Sequence, residues 1–239
     1  MKKMRLDKLL ANSGHGSRSE VKTLVKAGRV TVNGAAAAGA NMAVHPEQDL
    51  IQVDGREVHY QKFYYLMLNK PSGVVSATRD NLHSTVVGLV PPEFSHLDLF
   101  PVGRLDRDTE GLLLLTNDGK LAHRLLAPKK HVPKTYYARI SGRVGADDVA
   151  AFARGIELED FTTLPAELEI LEAGDESRVY VTIYEGKFHQ VKRMFAALGK
   201  EVRYLKRIAM GGLALDPALA PGKLRELTAE ELALLAEWR

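Results

Sequence analysis

The chain has 239 residues, 45% hydrophobic and 26% charged, ordinary for a globular protein of one or two domains. It has no cysteine, which excludes disulfides and thiolate metal sites. No apolar run approaches the roughly 20 residues that span a bilayer, and Met1-Lys2-Lys3-Met4-Arg5-Leu6-Asp7 lacks the apolar stretch of a secretory signal, so the expectation is a cytoplasmic protein without membrane contact. The net charge of +3 is unevenly spread. Residues 1–34 carry eight Lys/Arg (Lys2, Lys3, Arg5, Lys8, Arg18, Lys22, Lys26, Arg29) against Asp7 and Glu20, a net +6, and the remainder is −3. Such a segment is either a contact for a polyanion or a solvated face.

Two short helices open the chain. Arg5–Asn12 places Leu6, Leu9 and Leu10 at helical spacing. Ser17 followed by Glu20 reads as a capping box for a second helix, with Val21, Leu24 and Val25 on one face and a stop at Gly28. Arg18, Lys22 and Lys26 recur every four residues as a basic stripe off that apolar face. A strand over Arg29–Val32 meets the turn Asn33-Gly34, Ala35–Ala40 reads as a loop, and Leu50–Val53 is a strand before Asp54-Gly55. Gly55–Lys62 is polar and reads as a linker. Residues 1–59 thus form a compact helix-helix-strand module.

Beyond the linker, strands are expected at Tyr64–Leu68, Leu112–Leu115, Lys134–Ile140, Glu167–Leu171, Val179–Tyr184 and Glu201–Leu205. Asn69-Lys70-Pro71-Ser72-Gly73 reads as a turn, and Asn117-Asp118-Gly119 closes the leucine strand. Helices are expected at Leu121–Leu126, Asp147–Arg154, His189–Leu198 and, capped by Thr228, Ala229–Glu237. The expected fold class is α+β: a small helical/strand domain over 1–59, then a domain over 60–239 on a mixed, mainly antiparallel sheet.

The stretch Pro101–Gly111 puts five charged residues among eleven directly before four leucines. A polar loop tied to a buried strand sets acids at a core edge, where sites collect. Composition leaves two readings of it: Asp106 and Asp108 as turn caps paired with Arg104 or Arg107, or as chemistry. Two basic tracts, residues 120–139 (including Lys134) and 187–207 (including Lys192, Arg193 and Arg207), could hold a phosphate backbone. Val191, Met194, Phe195 and Leu198 form a core stripe whatever the function. Gly14-His15-Gly16-Ser17 follows a helix and lacks a third glycine, so it is no dinucleotide loop.

Arg5–Leu10, Ser17–Ser19 and Gly28–Gly34 together resemble the α-L RNA-binding motif. That resemblance implies that Arg5, Lys8, Arg18, Lys22, Lys26 and Arg29 grip structured RNA, largely by phosphate and shape. Four further segments resemble the pseudouridine synthase superfamily in its order: Asn69–Val74, Gly103–Asp106 with Thr109, Gly111 and Leu112–Thr116, then Lys134-Thr135-Tyr136, then Gly186–Phe195. The resemblance implies Asp106 as nucleophile beside Arg104, Tyr136 against the target base, and Lys192 or Arg193 as the cation partnering Asp106, with Arg193 also on the RNA. It implies no metal and no cofactor. The substrate it implies is structured ribosomal RNA or a pre-ribosomal particle, and no obligate protein partner is evident. His189–Ala197 most resembles the branch acting on small-subunit rRNA, whereas Asp106–Glu110 resembles large-subunit relatives at least as well. A non-catalytic rRNA-binding assembly factor would not need Asp106, Tyr136 and Lys192 together. A nucleoside hydrolase would leave the basic N-terminal module without a use.

Overall fold

The computed structural model describes residues 2–237; Met1, Trp238 and Arg239, at the ends of the two expected domains, lie outside the described residues. The chain divides into two compact units. One comprises the residues up to Tyr64 together with Val90–Asp98, and the other comprises Tyr65–Leu89 and the chain from Leu99 onward. The division thus falls at Tyr64/Tyr65 rather than after residue 59, and Val90–Asp98 groups with the N-terminal unit.

In the N-terminal unit, β1 (Met4–Arg5) leads into α1 (Leu6–Asn12), and α2 (Arg18–Lys26) follows. Ser17 and Glu20 make the reciprocal capping box. A four-stranded sheet then runs β3-β2-β5-β6, built from β2 (Val30–Val32), β3 (Ala35–Ala36), β5 (Ile51–Val53) and β6 (Arg56–Glu57), while β4 (Ala43–Val44) pairs with β1. Asn33 (φ 53°) and Gly34 (φ 82°) turn β2 into β3; Asp54 (φ 51°) and Gly55 (φ 76°) turn β5 into β6. Two consecutive left-handed residues match the twist of a tight hairpin, a conformation open to Asn, Asp and Gly. Two expectations need correcting here. Ala35–Ala36 is strand rather than loop, and the linker begins only after Glu57, because tight hairpin turns carry the backbone straight into pairing whatever the side chains are. Leu6, Leu9, Leu10, Val21, Val25, Val30, Val32, Val44, Ile51 and Val53 form one core.

The second unit is organised on a nine-stranded sheet. Its strands are β7 (Tyr65–Lys70), β8 (Phe100–Pro101), β9 (Glu110–Thr116), β10 (Lys134–Ser141), β11 (Glu167–Glu172), β12 (Glu176–Ile183), β13 (Glu201–Met210), β14 (Leu213–Ala214) and β15 (Leu224–Glu226). The order is β11-β12-β10-β13-β9-β7-β15, with β14 on β13 and β8 on β9. Every pairing is antiparallel except β9 with β13, where Lys206 faces Glu110 and Arg207 faces Gly111. Helices α3 (Gly119–Leu126), α4 (Ala146–Arg154), α5 (Gln190–Ala197) and α6 (Ala229–Ala236) complete it. Asp118 caps α3 and Thr228 caps α6, as their positions before apolar runs imply.

The Asn69–Gly73 turn also needs correcting. Asn69 and Lys70 complete β7, opposite Leu112 and Gly111, and both are buried. Their polar side chains mimic a turn signal, but both find partners inside the fold: the Asn69 amide nitrogen donates to the Leu219 carbonyl at 2.7 Å, while its Oδ1 is buried without a partner, and Lys70 donates to four carbonyls.

Candidate active site

The parallel junction of β9 and β13 positions the site. Gly111 has φ 97°, and a Cβ there would lie 2.2 Å from the Arg207 carbonyl oxygen. Only glycine lets the two backbones meet so closely in that conformation. The polar loop Arg104–Thr109 enters β9 just before this contact.

Three elements fix that loop. The Ser76 hydroxyl accepts from the Leu105 amide at 3.0 Å and donates to the Leu105 carbonyl at 2.9 Å, substituting for a strand partner. The Gly73 amide donates to the Arg107 carbonyl at 2.8 Å. The fully buried Lys70 ammonium donates to the carbonyls of Pro71 (3.1 Å), Asp106 (3.0 Å), Arg107 (3.1 Å) and Thr109 (2.8 Å). Burial pushes Lys70 down to about 8, against the pull of Asp108, Asp106 and Glu110. Leu105 packs inward, 6% exposed, while the Asp106 side chain next to it is 27% exposed.

The loop borders a cleft of about 1180 Å³ lined by Arg104, Asp106, Lys134, Tyr136, Lys192 and Arg207, among others. The Lys192 ammonium lies 3.3 Å from Asp106 Oδ2 and 2.6 Å from Asp108 Oδ1. Partial burial pushes the Asp108 carboxyl up, but the hydrogen bond and charge of Lys192 outweigh it and hold Asp108 below the ordinary carboxylate range. His189 Nε2 is 3.6 Å from Asp106 Oδ1, and its ring stacks on Phe188. The α5 stripe Val191, Met194 and Phe195 is buried, which turns Lys192 toward the loop. Gln190 locks the entry to α5, accepting from the Lys187 amide at 3.0 Å and donating to Glu185 at 3.0 Å.

Tyr136, 7% exposed, stands on β10 opposite Val181 on one side and Arg207 on the other. A carboxylate beside a cation, facing a recess floored by an aromatic ring, can attack or stabilise an electrophilic sugar carbon while a flat base lies against the ring.

The sequence profile of the RNA pseudouridylate synthases matches residues 64–197, and that of the S4 domain matches residues 4–50. The chain belongs to the RNA pseudouridylate synthase family. It is 54% identical to an uncharacterised RNA pseudouridine synthase of Bacillus subtilis (strain 168) over 98% of this chain and 99% of the relative. It is 42% identical to the ribosomal small subunit pseudouridine synthase A of Escherichia coli (strain K12), over 96% of this chain and 99% of that relative. A crystal structure of a pseudouridylate synthase aligns with TM-score 0.68 and 38% identity, covering 97% of this chain and 99% of that chain. The family is one of isomerases, and the N-terminal S4 domain marks it as RNA-binding.

Of the residues expected in this synthase's site, Arg104, Asp106, Tyr136 and Lys192 line one cleft. Arg193 does not join them: its guanidinium pairs with Asp160 and lies over the Phe161 ring. In the S4 domain Lys8, Arg18, Lys22 and Lys26 are exposed and make no ion pair among the described residues. Arg5 is bidentate on Asp7 and Arg29 on Asp54. Arg5, Lys22 and Lys26 border a hollow of about 490 Å³ beside Ala37–Asn41. Lys134 and Arg207, expected along the RNA backbone, are buried instead. Sequence reasoning missed Lys70, Ser76 and His189. A lone lysine ending an apolar strand before proline was the available signal for Lys70. Among the described residues no three His, Asp or Glu side chains gather as metal ligands, and no helix is long and apolar enough to cross a membrane.

Proposed function

We propose that this chain isomerises a specific uridine to pseudouridine in ribosomal RNA, with Asp106 as nucleophile, in the cytoplasm. The observation that carries the reading is the Asp106 carboxylate, part-exposed in the cleft with its own carbonyl held by Lys70 and its Oδ2 3.3 Å from Lys192. Tyr136 receives the flipped base, Lys192 holds the carboxylate in place by its contact at Oδ2, and Arg104 at the cleft edge contacts the RNA. The N-terminal domain, with Lys8 and the α2 stripe foremost and Arg5 and Arg29 beside them, holds structured rRNA or a pre-ribosomal particle. The target lies in small-subunit rRNA; the likeness over nearly the full length to the small-subunit enzyme of Escherichia coli supports this choice.

Two measurements test the reading. Asp106→Asn should abolish pseudouridine formation while melting temperature and RNA affinity stay near the parent; turnover within tenfold of the parent removes Asp106 from the role. Mapping pseudouridine across rRNA from a strain lacking the protein should reveal one missing site in small-subunit rRNA. A loss confined to large-subunit rRNA would reassign the substrate.

A further inference from the structure

The cleft floor holds two cations to which the proposed isomerisation has so far assigned no role. Lys134 is 9% exposed and Arg207 is 2% exposed, and both line the cleft. They bracket Tyr136: Lys134 shares its face of β10 two residues away, and Arg207 is its register partner on β13. Neither makes an ion pair among the described residues. Lys134 Nζ donates to the Val132 carbonyl at 2.7 Å; Arg207 Nε donates to the Leu112 carbonyl at 2.8 Å, and Arg207 Nη2 is buried without a partner. Glu185 is the acid whose charge reaches Lys134, and it is already engaged by Gln190 and the Leu164 amide. Buried charge without a counter-charge is costly and persists in a site only where something supplies the missing anion.

We infer that Lys134 and Arg207 stabilise the uracil anion that forms when the target base leaves its sugar, an inference that rests on the proposed isomerisation at Asp106. The electron accounting places that charge. When N1–C1′ breaks, both electrons go to N1 and spread onto O2 and O4, while C1′ is taken by Asp106 or left cationic. After the base turns, C5 uses its electrons to bond C1′, any Asp106–C1′ bond breaks and returns its electron pair to the carboxylate, the C5 proton leaves to solvent, and N1 gains a proton. Nothing is oxidised or reduced. A phosphate belongs at the solvated rim, whereas the base is the part of the nucleotide that reaches a floor beside Tyr136. Uracil is neutral before the bond breaks, so fixed cations there interact more strongly with the departing base than with bound substrate, and this lowers the barrier. Burial and the charge of Arg207 push Lys134 down to about 8, so it remains largely cationic at neutral pH.

The test uses the full-length enzyme on an unmodified small-subunit rRNA transcript. Lys134→Met should lower kcat by roughly a hundredfold, the scale for removing one preorganised charge-stabilising donor, with KM within about threefold. Lys134→Arg should recover most of that loss. A rise in KM at unchanged kcat would mean that the cations hold phosphate, and would overturn the inference. So would full activity in Lys134→Met. A parent-only measurement does not depend on variants folding. Barbiturate, a pyrimidine that is anionic at neutral pH, should inhibit the parent at least tenfold better than uracil; equal inhibition overturns the inference. If the parent makes no pseudouridine in any rRNA, the functional reading fails instead, which is a different result from active parent with unaffected variants.

Discussion

The ammonium of Lys70, on strand β7, lies 3.0 Å from the main-chain carbonyl of Asp106, the residue whose side chain faces the cleft. One buried cation therefore gathers a loop that follows it in sequence by more than thirty residues, and it does so through backbone rather than side chain. The carboxylate is left free for chemistry while its attachment point is held. Removing the ammonium would leave three loop carbonyls and that of Pro71 without a charged donor. Lys70→Met should cost about 2–4 kcal/mol of stability, the range for losing charged hydrogen bonds inside a protein. Turnover should fall at least a hundredfold with RNA affinity preserved. Denaturant unfolding paired with steady-state kinetics checks this, and parent-like kcat in a folded Lys70→Met protein would show that the loop holds itself.

The depressed Lys70 has a second, pH-dependent consequence. Its folded value of about 8 lies below the ordinary 10.5, so between those values the unfolded chain binds the extra proton. By linkage, this group raises stability as pH climbs through that window. The same deprotonation takes from the loop's donor its charge and one of its three N–H groups. Activity should therefore decline above about pH 8 while Lys70 makes no contribution to destabilisation there. Lys134, also near 8, titrates alongside it, so Lys134→Arg should leave part of the alkaline decline in place. Initial rates and urea midpoints in matched buffers distinguish the two trends; parallel loss of both would contradict the assignment.

Lys192 bridges Asp106 and Asp108, closer to the latter. Lys192→Met takes the shared cation from Asp106 and Asp108, and should reduce kcat by more than tenfold in steady-state assays. Asp108→Asn should be mild, since Asp108 is 69% exposed and its neutralisation leaves Lys192 to Asp106 alone. A severe Asp108→Asn defect with an intact fold would make Asp108 a participant in the chemistry.

The basic stripe of α2 is exposed along its length, with Val21 and Val25 buried opposite. Replacing Arg18, Lys22 and Lys26 together by alanine should weaken rRNA binding and flatten its salt dependence by about one unit of log–log slope for each phosphate no longer neutralised. The apparent KM should rise more than kcat falls. An unchanged slope would mean that the stripe is merely solvated.

The elements readable from sequence were those with strong local chemistry. The Ser17/Glu20 box, the Asn33-Gly34 turn and the Thr228 cap each state their structure within four residues, and the helices and strands around them fell within a few residues of expectation. The cleft residues Arg104, Asp106, Tyr136 and Lys192 were reached through motif resemblance, and the fold brings all four together. What stayed hidden was set by distance along the chain. Lys70 and Ser76 act on Asp106 and Leu105 from another strand and its following loop, and Arg207 is placed by the parallel pairing of β13 with Gly111 of β9. Arg193 and Lys192 are both basic and adjacent, and only the motif alignment favours Lys192 in sequence. The phase of α5 and the presence of Asp160 separate them, and neither fact is local.

The N-terminal unit is assembled from two stretches of chain, one ending at Tyr64 and one running from Val90 to Asp98. Gene-level shuffling treats domains as beads on a string, and this bead is not one. A nonsense or frameshift event, or a fusion junction placed at a tidy interdomain border, would separate the two pieces of a single compact unit. A graft of this RNA-binding module onto another protein would need both pieces, while a recipient that kept only the later segment would carry Phe94 without the Tyr64 ring it meets edge-on.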